Sequence, residues 1–132
     1  MYLSKLDSNE KKSFLNLAAI VAESNGIVEE SEQFMLDMYC AEMQINGEIE
    51  DKTFEENIEA LKNSSAEAKN IIVFELIGLC LTDGGYDDEE KDNIRQIAEE
   101  LGVSSEKLAE FEKDMADYYN LVTKMSEHVF LN

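Results

Sequence analysis

The chain lacks proline and tryptophan, and only six of its 132 residues are glycine. Proline breaks helices and glycine weakens them, so almost every segment is free to be helical. The sequence is instead rich in Leu, Ala, Glu, Lys, Met and Ile. This composition predicts an all-α protein.

Basic residues are also scarce. The sequence has 11 Lys and Arg residues against 30 Asp and Glu residues, which gives a formal net charge of -19 and a pI near 4.2. Nucleic-acid binding depends on Lys and Arg, which displace counterions from phosphate groups. We therefore expect no nucleic-acid binding and leave three roles open for the acids: binding a cation, contacting a basic face of a partner protein, or keeping the chain soluble.

Histidine and cysteine are too few for most catalytic and metal sites. His128 is the only histidine, and the two cysteines form no CxxC motif. Nucleophilic catalysis needs a base beside the nucleophile, and carboxylate-bridged metal pairs need Glu-x-x-His motifs. Gly84 and Gly85 are followed by acids, where a phosphate-binding loop has a lysine. We therefore expect that the protein is not an enzyme. Acid-base catalysis by carboxylates stays open in so acidic a chain, but no pair of acids stands out.

Long apolar runs are absent as well. The longest apolar stretch, around Ile71 to Leu81, is interrupted by Glu75 and Gly78, and the first residues show no run of signal-peptide length. We expect a cytoplasmic protein that does not insert into membranes. In a reducing compartment Cys40 and Cys80, which both lie within apolar helical patterns, are expected to be buried free thiols.

Apolar residues at three- and four-residue spacing, together with capping residues, predict six helices. In chain order, the six helices are predicted to begin at Asp7 or Ser8, within Glu29–Glu32, after Asp51, at Ala66, within Asp87–Glu90 and at Ser104 or Ser105. The first five are predicted to end near Ser24–Gly26, Asn46-Gly47, Asn63–Ser65, Thr82 and Gly102. The fourth helix is apolar on more than one face and is predicted to run through the centre. Gly78 within it predicts a close crossing with another helix.

Two other predicted helices also carry series of apolar residues. The apolar residues of the second helix are Phe34, Met35, Met38, Ala41 and Ile45, and those of the last helix are Leu108, Phe111, Met115, Tyr118, Val122, Met125 and Val129. The stripe on the last helix is interpreted as core. An exposed end of that helix would instead be a contact for a partner or a second copy, so either a monomer or a homodimer is expected.

The chain contains an internal repeat. An offset of 58 residues aligns Ala22–Glu32 with Cys80–Glu90, and each segment ends one helix with a small turn and starts another with acids. Gly26 and Gly84 suit a backbone with positive φ. Glu32 and Glu90 each follow an acid by three residues, which is the spacing of a capping box. The pattern predicts a duplicated helix-turn-helix unit.

The second copy of this unit carries a resemblance to a known family. The segment Asp83-Gly84-Gly85-Tyr86-Asp87-Asp88-Glu89-Glu90, followed by a helix, Leu101-Gly102-Val103 and a Ser-capped helix, resembles the TerB-like family of tellurite-resistance proteins. This family also includes the N-terminal region of a membrane-anchored DnaJ-like co-chaperone. The resemblance spans roughly Phe14 to Met125. The first copy departs from the family pattern, because Asn25, which follows Ser24, replaces the usual acid.

The repeat and the resemblance together imply an architecture and a function. We expect one TerB-like domain over residues 1–132, a compact orthogonal bundle of about six or seven helices. Its repeated halves would cover about 8–45 and 66–102, and its C-terminal helix about 104–128. The resemblance implies a non-catalytic module for protein interaction in a stress-response or membrane-associated complex, with an unidentified protein partner.

The acidic turns offer an alternative function. Asp83, Asp87, Asp88 and Glu90 of the second copy, with Glu29 and Glu32 of the first, could bind a divalent cation weakly, because hard cations prefer carboxylate oxygens. The segment is not an EF-hand loop, which requires glycine at its sixth position. The competing interpretation is that these acids cap helices and complement helix dipoles.

Overall fold

Helices account for nearly all of the regular structure of this chain. A computed structural model describes residues 1–23, 30–82 and 87–130, and within these ranges it contains six α-helices, a short 3-10 turn at Leu3–Lys5 and no strand. The helices are α1 (Ser8–Ala22), α2 (Glu30–Met43), α3 (Phe54–Leu61), α4 (Ala66–Leu81), α5 (Asp88–Leu101) and α6 (Ser105–Val129). The predicted all-α class is confirmed, and the boundaries agree with the sequence within a few residues.

Short polar side chains determine where the helices begin. Asp7, Thr53 and Asp87 each accept a hydrogen bond from the backbone N–H three residues later, and a glutamate there accepts one in return. These capping boxes satisfy N–H groups that lack partners within the helix. Ser65 and Ser104 cap α4 and α6 with their hydroxyl groups. The predicted cap at Glu29 lies outside the described residues.

Helix α4 lies at the centre of the described part of the chain. It contacts α1, α2, α5 and α6, and most of its side chains are buried. The side chains of Ile72, Val73, Leu76, Ile77 and Leu79 have no exposed surface. Because apolar residues point in every direction around this helix, neighbouring helices have to cover it on several sides. The predicted central position of the helix is confirmed.

Gly78 lies where α4 is crossed closely by α6. A Cβ atom added at Gly78 would lie 3.0 Å from Cε of Met115 and 3.7 Å from the hydroxyl oxygen of Tyr39. The predicted close crossing is therefore present. The missing side chain lets Met115 of α6 approach the α4 backbone, and this compensates for the low helix propensity of glycine.

Helix α2 uses a different face for packing than its apolar residues suggest. The buried side chains are Glu32, Leu36, Tyr39 and Met43. The apolar residues that the sequence pattern assigns to this helix lie elsewhere: Phe34 is 63% and Met38 52% exposed, Ala41 is exposed, Met35 is half-buried, and Ile45 follows the end of the helix. The helix thus presents two apolar faces, and only one of them packs on the core.

The prediction that the whole stripe of the last helix is core is wrong. Only Leu108 and Met115 are buried in α6, while Tyr118, Met125 and Val129 are 44%, 48% and 68% exposed. Most side chains from Tyr118 onward are exposed, so little of the second half of the helix packs against the described elements. Its apolar residues therefore remain in contact with solvent.

The two cysteines differ in burial. Cys80 is buried on α4, as expected, whereas Cys40 on α2 is only half-buried, and both are free thiols. No helix within the described ranges combines the length and apolar character needed to cross a membrane.

The crossing at Gly78 leads to a stability prediction. Gly78→Ala should leave the free energy of unfolding nearly unchanged. The gain in helix propensity of about 1 kcal/mol offsets the steric cost of the tight contact between the new Cβ atom and the flexible end of Met115. Gly78→Val should lower the free energy of unfolding by about 1–3 kcal/mol, because the larger side chain displaces Met115 and Tyr39. Urea unfolding followed by circular dichroism measures both. Equal stability of the two variants would contradict the close crossing.

Candidate functional site

An apolar groove lies between α2 and α6. Both helices pack on α4, and the surface of α4 around Gly78 forms the floor of the groove. The volume is about 520 Å³, within the range of about 300–1,000 Å³ that is typical of ligand sites. The residues that line it, here called the groove, are Met1, Phe34, Met35, Met38, Tyr39, Ala41, Glu42, Glu75, Gly78, Met115, Tyr118 and Tyr119.

Two tyrosines hold the walls of the groove against its floor. The hydroxyl of Tyr39 donates to the carbonyl oxygen of Glu75 at 3.0 Å, and that of Tyr119 donates to the carbonyl oxygen of Gly78 at 3.0 Å. Both acceptors are on α4, so α2 and α6 are each fixed to the same helix by a buried or partly buried hydrogen bond. Burial raises the pKa of both tyrosines, so both hydroxyls stay protonated and remain donors.

One end of the groove contains the charged groups. The amino group of Met1 lies 3.0 Å from both carboxylate oxygens of Glu75 and 3.2 Å from Oε1 of Glu42. Oε2 of Glu42 accepts a hydrogen bond from the backbone N–H of Leu3 at 2.9 Å. Burial raises the pKa of Glu75, and the adjacent amino group opposes that shift. These carboxylates are thus already engaged with the N-terminal segment.

The groove continues into exposed apolar surface on both helices. Phe34 also lines a shallower hollow together with Glu30, Ser31 and Thr82. On α6, Tyr118 is followed on the same helical face by Leu121, Met125 and Val129, which are 54%, 48% and 68% exposed. These four residues of α6 are called the apolar strip below. Groove and apolar strip together form an elongated apolar surface.

A second site joins the two copies of the repeat. Glu32 of α2 and Glu90 of α5 are both buried, and their carboxyl groups are in hydrogen-bonding contact. They occupy equivalent positions at the 58-residue offset of the internal alignment. Burial, the hydrogen bond with Glu32 and the charges of Asp87 and Glu32 raise the pKa of Glu90 to about 7. The pair, called the carboxyl pair below, thus holds a proton at neutral or mildly acidic pH.

The thiol of Cys80 contacts the carboxyl pair. It hydrogen-bonds to Glu90, and burial together with the nearby carboxylates raises the pKa of Cys80 far above that of an ordinary thiol. A thiolate is therefore disfavoured, and Cys80 has little nucleophilic character.

The other predicted cation ligands lie at the start of α5 or outside the described residues. Asp87 caps α5 and Asp88 lies in the first turn, and both are exposed. Glu29 and Asp83 lie outside the described residues. Within the described ranges, no three His, Cys, Asp or Glu side chains form a cluster suited to a metal ion. Of the four candidate ligands within the described residues, Glu90 is close to two, because its carboxyl group meets that of Glu32 and it shares a capping box with Asp87.

The sequence pattern does not predict the groove, although Phe34, Met38 and Tyr118 belong to the apolar series of the two predicted helices. Phe34 and Met38 are four residues apart and so share one face of α2, a face that also carries the acids Glu30 and Asp37 nearby. Leu36, Tyr39 and Met43 form a second apolar series on the same helix. Two apolar faces on one helix were a signal that one of them is left uncovered.

Comparisons of this chain with protein-family models, with curated proteins and with solved structures find no match. The resemblance to the TerB-like family therefore stays a hypothesis from the motif residues.

The carboxyl pair leads to a pH-dependent stability prediction. Because the pKa of Glu90 is raised on folding to about 7, the folded state binds this proton more tightly than the unfolded chain. The stability contributed by Glu90 is fully present below its ordinary pKa and is lost as pH rises through about 7. Glu90→Gln should therefore raise the free energy of unfolding at pH 8 by about 1–2 kcal/mol and by much less at pH 5. Chemical unfolding at both pH values measures this difference.

Glutamine suits this test because its side-chain oxygen can still accept the N–H of Asp87 and preserve the capping box. Glu89→Gln is the matched control, because Glu89 is exposed in the same turn and its substitution changes the net charge equally. The free energy of unfolding of this control variant should match that of the native protein at both pH values. A Glu90→Gln effect that is the same at pH 5 and pH 8 would contradict a raised pKa.

Proposed function

We propose that this protein is a non-catalytic interaction module that binds a protein partner in the groove between α2 and α6. The observation that carries the proposal is the exposure of Phe34 and Met38, 63% and 52%, at the mouth of an apolar groove. Water contact with such side chains is unfavourable, and a contiguous apolar patch on a surface is typical of an interaction site. Methionine is well suited to such sites because its flexible side chain adapts to the partner.

The chemistry of the groove favours binding over catalysis. The hydroxyls of Tyr39 and Tyr119 are engaged with carbonyl oxygens of α4, and the carboxylates of Glu42 and Glu75 are engaged with the N-terminal segment. General acid-base or nucleophilic catalysis needs a titratable group that can reach a substrate. These four polar side chains of the groove thus already have partners within the chain.

The internal alignment supports the same type of module. In the TerB-like interpretation, the halves at about 8–45 and 66–102 pack as related units, and the carboxyl pair lies at equivalent positions in the two. The protein would act in the cytoplasm, as part of a stress-response or membrane-associated complex. This setting rests on the resemblance, whereas the binding surface rests on the exposed residues of α2 and α6.

A photo-crosslinking experiment tests the proposed surface. A photoreactive phenylalanine analogue placed at Phe34 or at Met38 should give the same discrete covalent adduct in the cells that produce this protein, because both positions face the groove. Gel electrophoresis and mass spectrometry identify the adduct. Substitution at these positions should not unfold the protein, because both side chains are more than half exposed.

The matched control is Ile49, an apolar residue that is 50% exposed and does not line the groove. The analogue at Ile49 should give no such adduct. Adducts that are absent at Phe34 and Met38, or equally abundant at all three positions, would refute the groove as the interaction site.

A second function is favoured by the carboxyl pair. We propose as the alternative that Glu32 and Glu90, with neighbouring acids of the two turns, bind a divalent cation in place of the shared proton. Bringing two buried carboxyl groups together is costly when both are ionised, and a cation would relieve that repulsion. Asp83, Asp87, Asp88 and Glu29 are the further candidate ligands.

Thermal unfolding tests this alternative. Calcium, magnesium, manganese or zinc, each compared with chelator, should stabilise the native protein by about 2.7 kcal/mol at a hundred times the dissociation constant. The effect should disappear in a variant that combines Asp83→Asn, Asp87→Asn and Glu90→Gln, and it should persist in Glu89→Gln. If no ion raises the melting temperature selectively, the cation function is wrong and the acids act as helix caps.

A further inference from the structure

The shape of the apolar surface limits what can bind to it. The apolar strip spans twelve residues of α6 from Tyr118 to Val129, which corresponds to about 16 Å of helix. Phe34 and Met38 of α2 border the groove on its other side. The surface is therefore long and is bordered by two helices over part of its length. A segment several helical turns long would match its extent better than a single side chain or a small ligand.

The hydrogen-bonding groups of the groove limit the conformation of the occupant. The hydroxyls of Tyr39 and Tyr119 donate to carbonyl oxygens of α4, and the carboxylates of Glu42 and Glu75 accept from the N-terminal segment. An extended peptide would bring backbone N–H and C=O groups into this apolar groove without partners, at a cost in free energy. A helix satisfies its backbone internally and offers apolar side chains along one face.

The charge around the groove limits the composition of the occupant. Helix α2 carries Glu30, Glu32, Asp37 and Glu42 and has no Lys or Arg. Helix α6 carries six acids against three lysines, Lys107, Lys113 and Lys124, and Lys113 is paired with Asp117 at 2.9 Å. With a net charge of -19, the chain attracts a cationic partner over several ångströms beyond contact.

The same charge argues against a second copy as the occupant. A symmetric dimer places the same surface of both copies against each other. The acidic α2 helices would then face one another across the interface, and like charges facing each other weaken association. A basic partner avoids this repulsion and gains favourable ion pairs with Glu30 and Asp37.

We propose that the groove and the apolar strip bind an amphipathic helix of a partner protein, with large apolar side chains on one face and Lys or Arg along its borders. This proposal rests on the proposed interaction function and specifies its partner. The apolar face of the helix contacts Phe34, Met38 and Tyr118, and its basic residues lie against the acids of α2. The apolar contacts supply most of the affinity, and the charges supply selectivity and the rate of association.

Three synthetic peptides of about 18 residues, long enough for five helical turns, test the proposal. The first has Leu and Phe at i, i+3, i+4 and i+7 and Lys or Arg elsewhere. The second has the same apolar face with Gln and Ser instead of the basic residues. The third has the composition of the first in a scrambled order without an apolar face. Fluorescence anisotropy with the full chain, at low and at physiological salt, measures the affinities.

The first peptide should bind at least about tenfold more tightly than either of the others, and its advantage over the second should shrink as salt increases. Phe34→Ser with Met38→Gln should weaken its binding by at least about tenfold. The control variant Ile49→Thr should bind all three peptides as the native protein does. Circular dichroism should show that the first peptide gains helix on binding.

Other outcomes overturn specific parts of the proposal. Equal affinity for the first two peptides, both sensitive to the Phe34 and Met38 substitutions, would overturn the basic partner while keeping the groove as a binding site. Binding of the first peptide that is insensitive to those substitutions would show only nonspecific attraction to an acidic chain and would overturn the proposal. A dimer in sedimentation that dissociates in the Phe34 and Met38 variant would identify a second copy as the occupant and also overturn it.

Discussion

The burial of α4 is the constraint on which the rest of the structure depends. Its apolar side chains point in all directions, so it is stable only when other helices cover it, and α1, α2, α5 and α6 do so. Each covering helix buries the face that it turns toward α4, and α1 also packs against α2 and α3. Two of them, α2 and α6, carry more apolar surface than this contact uses. The groove between them is thus a consequence of how the centre is covered.

Acidic residues serve different purposes in different places on this chain. Glu10, Glu56 and Glu90 complete capping boxes, and the first turns of α2, α3 and α5 carry further acids that are favourable near the positive end of a helix dipole. Glu90 has a second role, because its carboxyl group also meets that of Glu32 in a buried position. The acids of α2 that stay exposed shape the field around the groove. One acidic composition therefore supports helix starts, the buried carboxyl pair and a negatively charged surface beside the groove.

Helix positions were predictable because their signals are local. Asp7, Ser65, Asp87 and Ser104 cap helices through contacts three residues away, and Gly102 adopts the left-handed conformation, with φ of 79°, that ends α5. Gly78 was recognisable as a close crossing because glycine in an apolar helix interior is otherwise unfavourable. The candidate cation ligands also follow from local spacing along the chain. That spacing does not determine how far apart their side chains lie in the folded protein.

The sequence by itself thus determined the all-helical class, the helix starts, the central position of α4 and the acidic surface, because each depends on composition or on residues a few positions apart. Only the tertiary structure decided which face of α2 is buried, where α6 leaves the core, and that Glu32 meets Glu90. Those outcomes depend on contacts between residues far apart in the chain. The periodicity of apolar residues is the same for a helix face that is buried and for one that stays exposed. The groove is also a feature that only the tertiary structure decided, because it forms between α2 and α6 when both pack on α4.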